Sequence, residues 1–89
     1  MKRIVMDCGR IRRKEDFHSI LAEVLNFPAW YGGNLDALHD LLTEIGTDTT
    51  LQLHGWADAE AALGAYGSRL EKVMAVSALE NPNLHIEFC

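Results

Sequence analysis

The spacing of apolar residues changes repeatedly along this chain, and these changes limit the folds that it can adopt. Residues 4–6 are a short apolar run that ends before a Cys-Gly pair, which is typical of a buried strand. Two later segments, residues 51–54 and 84–88, alternate apolar and polar residues, as strands with one solvent-exposed face do. The sequence therefore predicts three strands, at the start, middle and end of the chain.

Two helices are predicted between the first and second strands. Apolar residues recur at i, i+3, i+4, i+7 and i+8 over residues 17–25, which is the pattern of an amphipathic helix. Residues 26–33 contain Pro28 and a glycine pair, so they are predicted to form a loop. Asn34 is then placed to cap the second helix.

Two further helices are predicted between the second and third strands. Asp58 is expected to cap a short helix that ends at Leu63. Ser68 and Glu71 have the spacing of a capping box, which predicts that a longer helix opens there and stops near Asn81.

This order of elements predicts an α/β fold. Helical crossovers join parallel strands, and alternating strands are covered by helices mainly on one face. We therefore expect a two-layer domain with a three-stranded parallel sheet and about four helices. A chain of 89 residues buries only about 60–65% of its unfolded surface, so residues 1–89 are predicted to share one core in a single domain.

The charges of the chain are unevenly distributed. Its formal net charge is -5, with 8 basic residues against 13 acidic ones, and no Lys or Arg lies between Lys14 and Arg69. A surface built from that segment is negative, which disfavours nucleic acid as a direct ligand and favours a basic protein partner. Solubility alone is the competing explanation of the same composition.

The predicted second helix has one polar face. At about 100° per residue, Asp36, His39, Asp40 and Thr43 form a polar stripe within roughly a 100° arc. The opposite side is apolar and comprises Leu35, Leu38, Leu41, Leu42 and Ile45. Asp36, Asp40 and Glu44 are like charges four positions apart, and each pair costs about 0.2–0.5 kcal/mol with no basic residue to relieve it. We therefore interpret the stripe as a binding surface, the alternative being an ordinary solvated face.

The loop before this helix adds two aromatic residues, Trp30 and Tyr31, next to Gly32 and Gly33. Aromatic anchors are enriched at binding hot spots, and glycines let a partner approach the backbone closely. Either ring could instead close the core. With the polar stripe, the loop could make one continuous recognition surface.

The sequence resembles the barstar family along essentially its whole length. Residues 28–40, PAWYGGNLDALHD, are similar to the family segment P-x-aromatic-Y-G-x-N-L-D-A-L-x-D. The family fold, a small parallel sheet with four helices, agrees with the architecture predicted above. Its members are intracellular inhibitors of barnase-like secreted ribonucleases.

The resemblance implies inhibition by occlusion of a basic barnase-like ribonuclease, in a one-to-one complex. The loop and second helix would plug the active site of the enzyme, with Asp40 as the central carboxylate meeting its basic cluster and Asp36 as a second acidic contact. His39 and Ile45 stand where tryptophans are expected, and Val76 replaces an acidic contact, so the cognate nuclease can differ. The predicted partner-binding residues are Trp30, Tyr31, Gly32, Asn34, Asp36, His39, Asp40, Thr43, Val76 and Glu80.

Two of these residues carry specific expectations. Val76 lies off the apolar arc of the last predicted helix, so it is expected to be an exposed apolar contact. Asp36 and Asp40 are expected to favour the imidazolium form of His39 and to raise its pKa.

Two other functions compete with inhibition. If the protein were an enzyme, Asp36, His39 and Asp40 would act as general acid and base, or they would bind a metal together with Cys8 and the other histidines. No nucleophile lies at motif spacing and no zinc-like pattern exists, so we expect no catalytic residue, no metal and no cofactor. An acidic module that binds a basic partner other than a nuclease stays open. The other histidines are interpreted as helix-face or strand-face residues: His18, His54 and His85.

The chain shows no sign of export or membrane insertion. The basic start is followed by only three apolar residues, and no run approaches the length of a membrane span. Without a secretion signal, Cys8 and Cys89 indicate free thiols in a reducing compartment, although a single bridge between them is left open. We expect a cytoplasmic protein that is monomeric when free.

Overall fold

The computed structural model describes residues 1–89. Three strands and four helices follow one another as β1 (Lys2–Asp7), α1 (Lys14–Leu25), α2 (Leu35–Thr43), β2 (Thr49–His54), α3 (Trp56–Leu63), α4 (Ala65–Glu80) and β3 (Leu84–Phe88). The predicted order of strand, helix, helix, strand, helix, helix, strand is confirmed.

The sheet is parallel throughout, with β2 between β1 and β3. Ile4 lies opposite Leu51, which in turn lies opposite Ile86, so that one register carries apolar side chains across all three strands. On the other face of the sheet, Val5 and Glu87 are exposed. Helices therefore cover one face only, and the predicted two-layer α/β architecture is confirmed.

The core is one cluster of 14 buried apolar residues to which the sheet and every helix contribute. Its members are Met6, Cys8, Ile11, Phe17, Leu21, Leu38, Leu42, Leu51, Leu53, Trp56, Ala59, Leu70, Met74 and Leu84. Ile11, in the middle of the basic turn before α1, is fully buried and anchors that turn. The basic side chains around it are exposed.

The predicted starts of α3 and α4 are wrong. Asp58 lies in the first turn of α3, whose N-cap is Gly55, and Ser68 lies inside α4, whose N-cap is Gly64. Gly64 is the one residue between the two helices, and its backbone (φ 62°, ψ -134°) is a conformation open to glycine but strained for other residues. The Glu71 carboxylate accepts a hydrogen bond from the Trp56 indole at 2.9 Å instead of closing a capping box.

The end of α4 is tied to the end of α2 by Asn81. The side-chain amide of this buried residue donates hydrogen bonds to the carbonyl oxygens of Leu42 at 2.9 Å and Ile45 at 3.0 Å. Carbonyls at a helix C-terminus lack the partner that the helix would provide, and the Asn81 amide donates to two carbonyls at and just after the end of α2. The predicted end of the last helix near Asn81 is confirmed, and the same residue positions α2.

Gly67 allows α3 and α4 to pack closely, and this generates a prediction. A Cβ at Gly67 would lie 2.7 Å from the Glu60 carbonyl oxygen and 2.9 Å from the Glu60 Cα atom, both of which are backbone atoms. In an exposed helix, Gly→Ala stabilises by about 0.5–1 kcal/mol. Here we expect Gly67→Ala to lower the free energy of unfolding by about 1–3 kcal/mol, as overpacking does.

Urea denaturation measures this effect, with Gly46→Ala as the matched control. A Cβ at Gly46 meets no atom within 4 Å, so this variant should differ from the wild type by less than about 0.5 kcal/mol. Equal stability of the two variants would contradict the packing described for Gly67.

Candidate functional site

Asn34 starts α2 and so determines where its polar stripe begins. Its side-chain oxygen accepts a hydrogen bond from the Ala37 backbone N–H at 2.8 Å, and its own backbone is extended. A Cβ on Gly32 would lie 3.1 Å from the Asn34 side-chain nitrogen, so the glycine leaves room for the cap. The predicted cap is confirmed.

The polar stripe of α2 faces away from the core, as its spacing predicts. Asp36 and Asp40 are exposed, whereas Leu38 and Leu42 on the other side are fully buried. Neither carboxylate has a Lys or Arg within 4.0 Å. The Thr43 hydroxyl donates within the helix to a backbone carbonyl at 2.8 Å, so it is already satisfied.

The two aromatic residues of the loop have different environments. Trp30 is 73% exposed, which leaves its ring available to a partner. Tyr31 is half-buried, packs edge-on against Phe27 at 4.9 Å between ring centroids, and directs its hydroxyl to His18. Of the two alternatives for these rings, Trp30 thus lies on the surface and Tyr31 helps to close the core.

His18 connects three parts of the protein and was missed as a site residue. Its Nδ1 atom lies 2.5 Å from the Tyr31 hydroxyl and its Nε2 atom 2.7 Å from the Tyr66 hydroxyl. A neutral imidazole can accept from one hydroxyl and donate to the other. Burial lowers the pKa of His18, Lys14 lowers it further, and Glu15 opposes the shift. The sequence signal was its spacing three residues before Leu21, on the buried side of α1.

His39 is paired across the α2–α4 contact with Glu80. Its Nε2 atom lies 2.5 Å from Glu80 Oε1, whereas its Nδ1 atom lies 3.9 Å from the nearer Asp40 oxygen. The hydrogen bond to Glu80 is the largest cause of a raised pKa of His39; desolvation opposes it, and the charges of Glu80 and Asp40 add to the rise. The predicted direction is confirmed, but Asp36 is not a cause. Helical spacing shows neighbours on one helix and misses a partner on another.

The predicted contacts Asp36, His39, Asp40 and Val76 line one groove between α2 and α4, with a volume of about 420 Å³. The rest of this α2–α4 groove is lined by Leu35 from α2 and by Lys72 and Val73 from α4. Val76 is 40% exposed, as predicted, and Glu80 is joined to the groove through His39. Lys72 was not predicted as part of the site.

A second hollow of about 500 Å³ lies behind the loop, against α1. It is lined by loop residues, neutral side chains and a single carboxylate, that of Glu23. It lacks the group of charged side chains that the α2–α4 groove has, so we place the candidate site on the groove.

The thiols and carboxylates do not form a metal-type cluster. No group of three or more His, Cys, Asp or Glu residues is arranged to hold a metal ion. Cys8 and Cys89 are both free, and burial raises the pKa of the Cys8 thiol to about 11. A thiol with such a pKa is a poor nucleophile at neutral pH. No helix has both the length and the apolar character needed to cross a bilayer.

Taken together, the fold is a small two-layer α/β domain, and its candidate site is an exposed, mainly acidic helix face beside an exposed aromatic ring. Exposed aromatic side chains are enriched where proteins bind one another, and an exposed acidic face attracts a basic partner.

Comparisons with known proteins identify the family. The family model described as Barstar (barnase inhibitor) matches residues 1–88. The chain is also 35% identical over 75 residues to the Bacillus subtilis (strain 168) protein named "Putative ribonuclease inhibitor YrdF", and the match spans 83% of this chain and 82% of that protein. The chain therefore belongs to the barstar family, and the resemblance seen in the sequence is confirmed.

The pairing of His39 with Glu80 generates a prediction for the free protein. We expect the pKa of His39 to lie above the ordinary histidine value of 6.5. Glu80→Gln should lower it, because the charged acceptor is removed, and Asp36→Asn should leave it almost unchanged. An NMR titration of the imidazole resonances measures all three proteins. A larger effect of Asp36→Asn would show that the contact across the helices is not the cause.

The burial of His18 generates a prediction for stability. Its folded-state pKa is lowered, so as the pH falls through about 6.5 the unfolded chain binds a proton that the folded protein resists. The contribution of His18 to the free energy of unfolding should therefore fall between pH 7 and pH 5. In His18→Gln, whose amide can also donate and accept, this decrease should be smaller.

His39→Gln is the matched control for that measurement. The raised pKa of His39 stabilises the folded protein at low pH, and this contribution is lost as the pH rises through the folded value. His39→Gln should therefore make the free energy of unfolding decrease more steeply on acidification, whereas His18→Gln should make it decrease less steeply. Urea denaturation at pH 5, 6 and 7 tests both, and identical slopes in the two variants would contradict the assignment.

Proposed function

We propose that this protein inhibits a basic microbial ribonuclease by covering its active site with the loop at residues 26–33 and with α2. The observation that carries the proposal is the pair of exposed carboxylates of Asp36 and Asp40, which have no Lys or Arg partner within the chain. They lie on a helix held by Asn34 at its start and by Asn81 at its end. Membership of the barstar family supports the same function.

The chemistry of the target explains why carboxylates suit this role. An enzyme that cleaves RNA must bind phosphates, and it does so with cationic side chains. A carboxylate brought to those cations forms charge-assisted hydrogen bonds in the place of a phosphate oxygen. Asp40, with 75% of its side chain exposed and no closer ionic contact than His39 at 3.9 Å, is free to make them.

The rigidity of α2 supports tight binding. Leu38 and Leu42 are fully buried, and both helix ends are hydrogen-bonded by asparagine side chains. A surface that is ordered before binding loses less conformational entropy in the complex. The complex is proposed to be one-to-one, with Trp30 supplying an aromatic contact beside the carboxylates.

The distribution of charge supports fast association. The segment between Lys14 and Arg69, which contains α2, has acidic residues and no basic ones. A negative surface of this kind steers a basic protein toward it over distances of about one Debye length, roughly 10 Å at 0.1 M salt. Consistent with this role, we propose a cytoplasmic protein that is monomeric when free and binds no nucleic acid itself.

A basic partner other than a nuclease is the alternative occupant of the same surface. It is favoured by the apolar exposure of Val76, where the family resemblance implies an acidic contact. Titration of RNA cleavage by a basic secreted ribonuclease distinguishes the two functions. Inhibition that is complete at one inhibitor per enzyme supports the proposal, and binding that leaves RNA cleavage unchanged supports the alternative.

Within this function, Asp40 is expected to be the most important single contact. Asp40→Ala should weaken nuclease binding by about 2–5 kcal/mol, because the enzyme's cations are left desolvated without a partner. This is the general range for such truncations, and measurements on the barnase–barstar complex are among those that define it. Inhibition titrations of RNA cleavage measure the loss for each alanine variant of the polar stripe.

Glu44→Ala is the matched control, since it removes the same charge from an exposed position at the end of the same helix, outside the groove. It should change binding by less than about 1 kcal/mol. If it weakens binding as much as Asp40→Ala, net charge rather than a specific contact carries the affinity. If Asp36→Ala has the largest effect, the central position of Asp40 is wrong.

A further inference from the structure

The two walls of the α2–α4 groove differ in charge. The α2 wall presents the carboxylates of Asp36 and Asp40, whereas the α4 wall presents the ammonium group of Lys72 beside the exposed part of Val76. Lys72 is exposed and forms no ion pair within the chain. The groove is therefore anionic on one side, and cationic and apolar on the other.

The apolar part of the α4 wall extends beyond the groove. At about 100° per residue, Lys72, Val76, Leu79 and Glu80 fall within roughly a 100° arc of α4. Leu79, one turn after Val76, is 87% exposed. Val76 and Leu79 thus leave two neighbouring aliphatic side chains open to solvent beside the charged groove.

Glu80 does not line this wall. Its carboxylate lies 2.5 Å from His39 Nε2 and is therefore engaged within the chain. Lys72 is the charged residue of α4 that lines the groove. A nuclease that placed a cation here would leave two like charges close together at the interface, which costs binding energy.

On the basis of the proposed inhibitor function, we propose that Lys72 and Val76 determine which nuclease is bound. The partner that fits them carries a carboxylate facing Lys72 and an apolar side chain against Val76 and Leu79, next to the basic site that faces α2. A nuclease that is basic over this whole area is disfavoured, because specificity arises from unfavourable contacts as well as favourable ones.

Inhibition of RNA cleavage tests this inference. Wild-type protein is titrated against barnase and other basic secreted microbial ribonucleases, and the enzyme inhibited most tightly is used for the variants. Against that enzyme, Lys72→Glu should weaken inhibition at least tenfold. Lys72→Met, which keeps the aliphatic length and loses the charge, should weaken it by a smaller factor, and Val76→Glu should weaken it at least tenfold.

Lys2→Glu is the matched control, because it makes the same change of charge on β1, outside the groove. An added negative charge favours association with a basic protein, so this variant should inhibit as well as the wild type or better. A more negative net charge should strengthen inhibition, whereas Lys72→Glu is expected to weaken it although it also makes the protein more negative. Lys72 and Val76 are exposed, and urea denaturation should confirm that their variants are as stable as the wild type.

The possible outcomes distinguish a failure of the specificity inference from a failure of the proposed inhibitor function. If Lys72→Glu inhibits as tightly as the wild type or more tightly, the specificity inference is overturned while the inhibitor function stands. If the wild type inhibits none of the nucleases at one-to-one stoichiometry, the inhibitor function is overturned and this inference with it. If Lys72→Glu is weaker, changing acidic residues of the nuclease to lysine one at a time should identify one change that restores its binding. If no such lysine substitution restores binding, the inference that a nuclease carboxylate faces Lys72 is wrong.

Discussion

The contact between Asn81 and the C-terminal end of α2 is the interaction on which the candidate surface depends. α2 has nine residues, a length that is marginal for an isolated helix, and no basic residue in its last turn offsets Asp40 and Glu44. Its stability must therefore come from outside the helix. Leu38 and Leu42 supply it through the core, and the Asn81 amide supplies it by binding two carbonyls at the helix end. This support allows like charges to stand together on the exposed face.

Features with a local cause could be predicted from the sequence. The apolar period of α1, the cap at Asn34 and the exposure of Asp40 and Val76 all follow from neighbouring residues, and each is as expected. Features with a tertiary cause could not. The start of α4 was misplaced because Gly64 joins two helices directly, so that a capping-box pattern fell inside a helix. His39 and Glu80 are 41 positions apart, and no periodicity shows that they meet. Lys72 looks like any exposed lysine until α2 is placed beside it.

His18 and His39 show that surroundings rather than residue type set proton affinity. His18 is enclosed by aromatic rings and bonded to two neutral hydroxyls, which favours the uncharged imidazole. His39 lies at the surface against a carboxylate, which favours the charged form. The first holds the aromatic loop to α1 and α4, and the second joins α2 to α4. The loop and α2 are thus both joined to α4. The histidine that joins the loop favours the neutral imidazole, and the one that joins α2 favours the charged form.

The parallel sheet has a kinetic consequence. Neighbouring strands are joined by two-helix crossovers, so Lys2 pairs with Thr49, 47 positions away (2 to 49), and Thr49 pairs with Leu84, 35 positions away (49 to 84). No two strands of this sheet can pair as a hairpin, and loop closure must precede each pairing, which slows folding relative to a helical bundle of the same size. Asn81 likewise reaches α2 from nearly forty positions further along the chain. During synthesis, the residues of α2 therefore leave the ribosome well before the residue that orders them, and the acidic face acquires its final geometry late in folding.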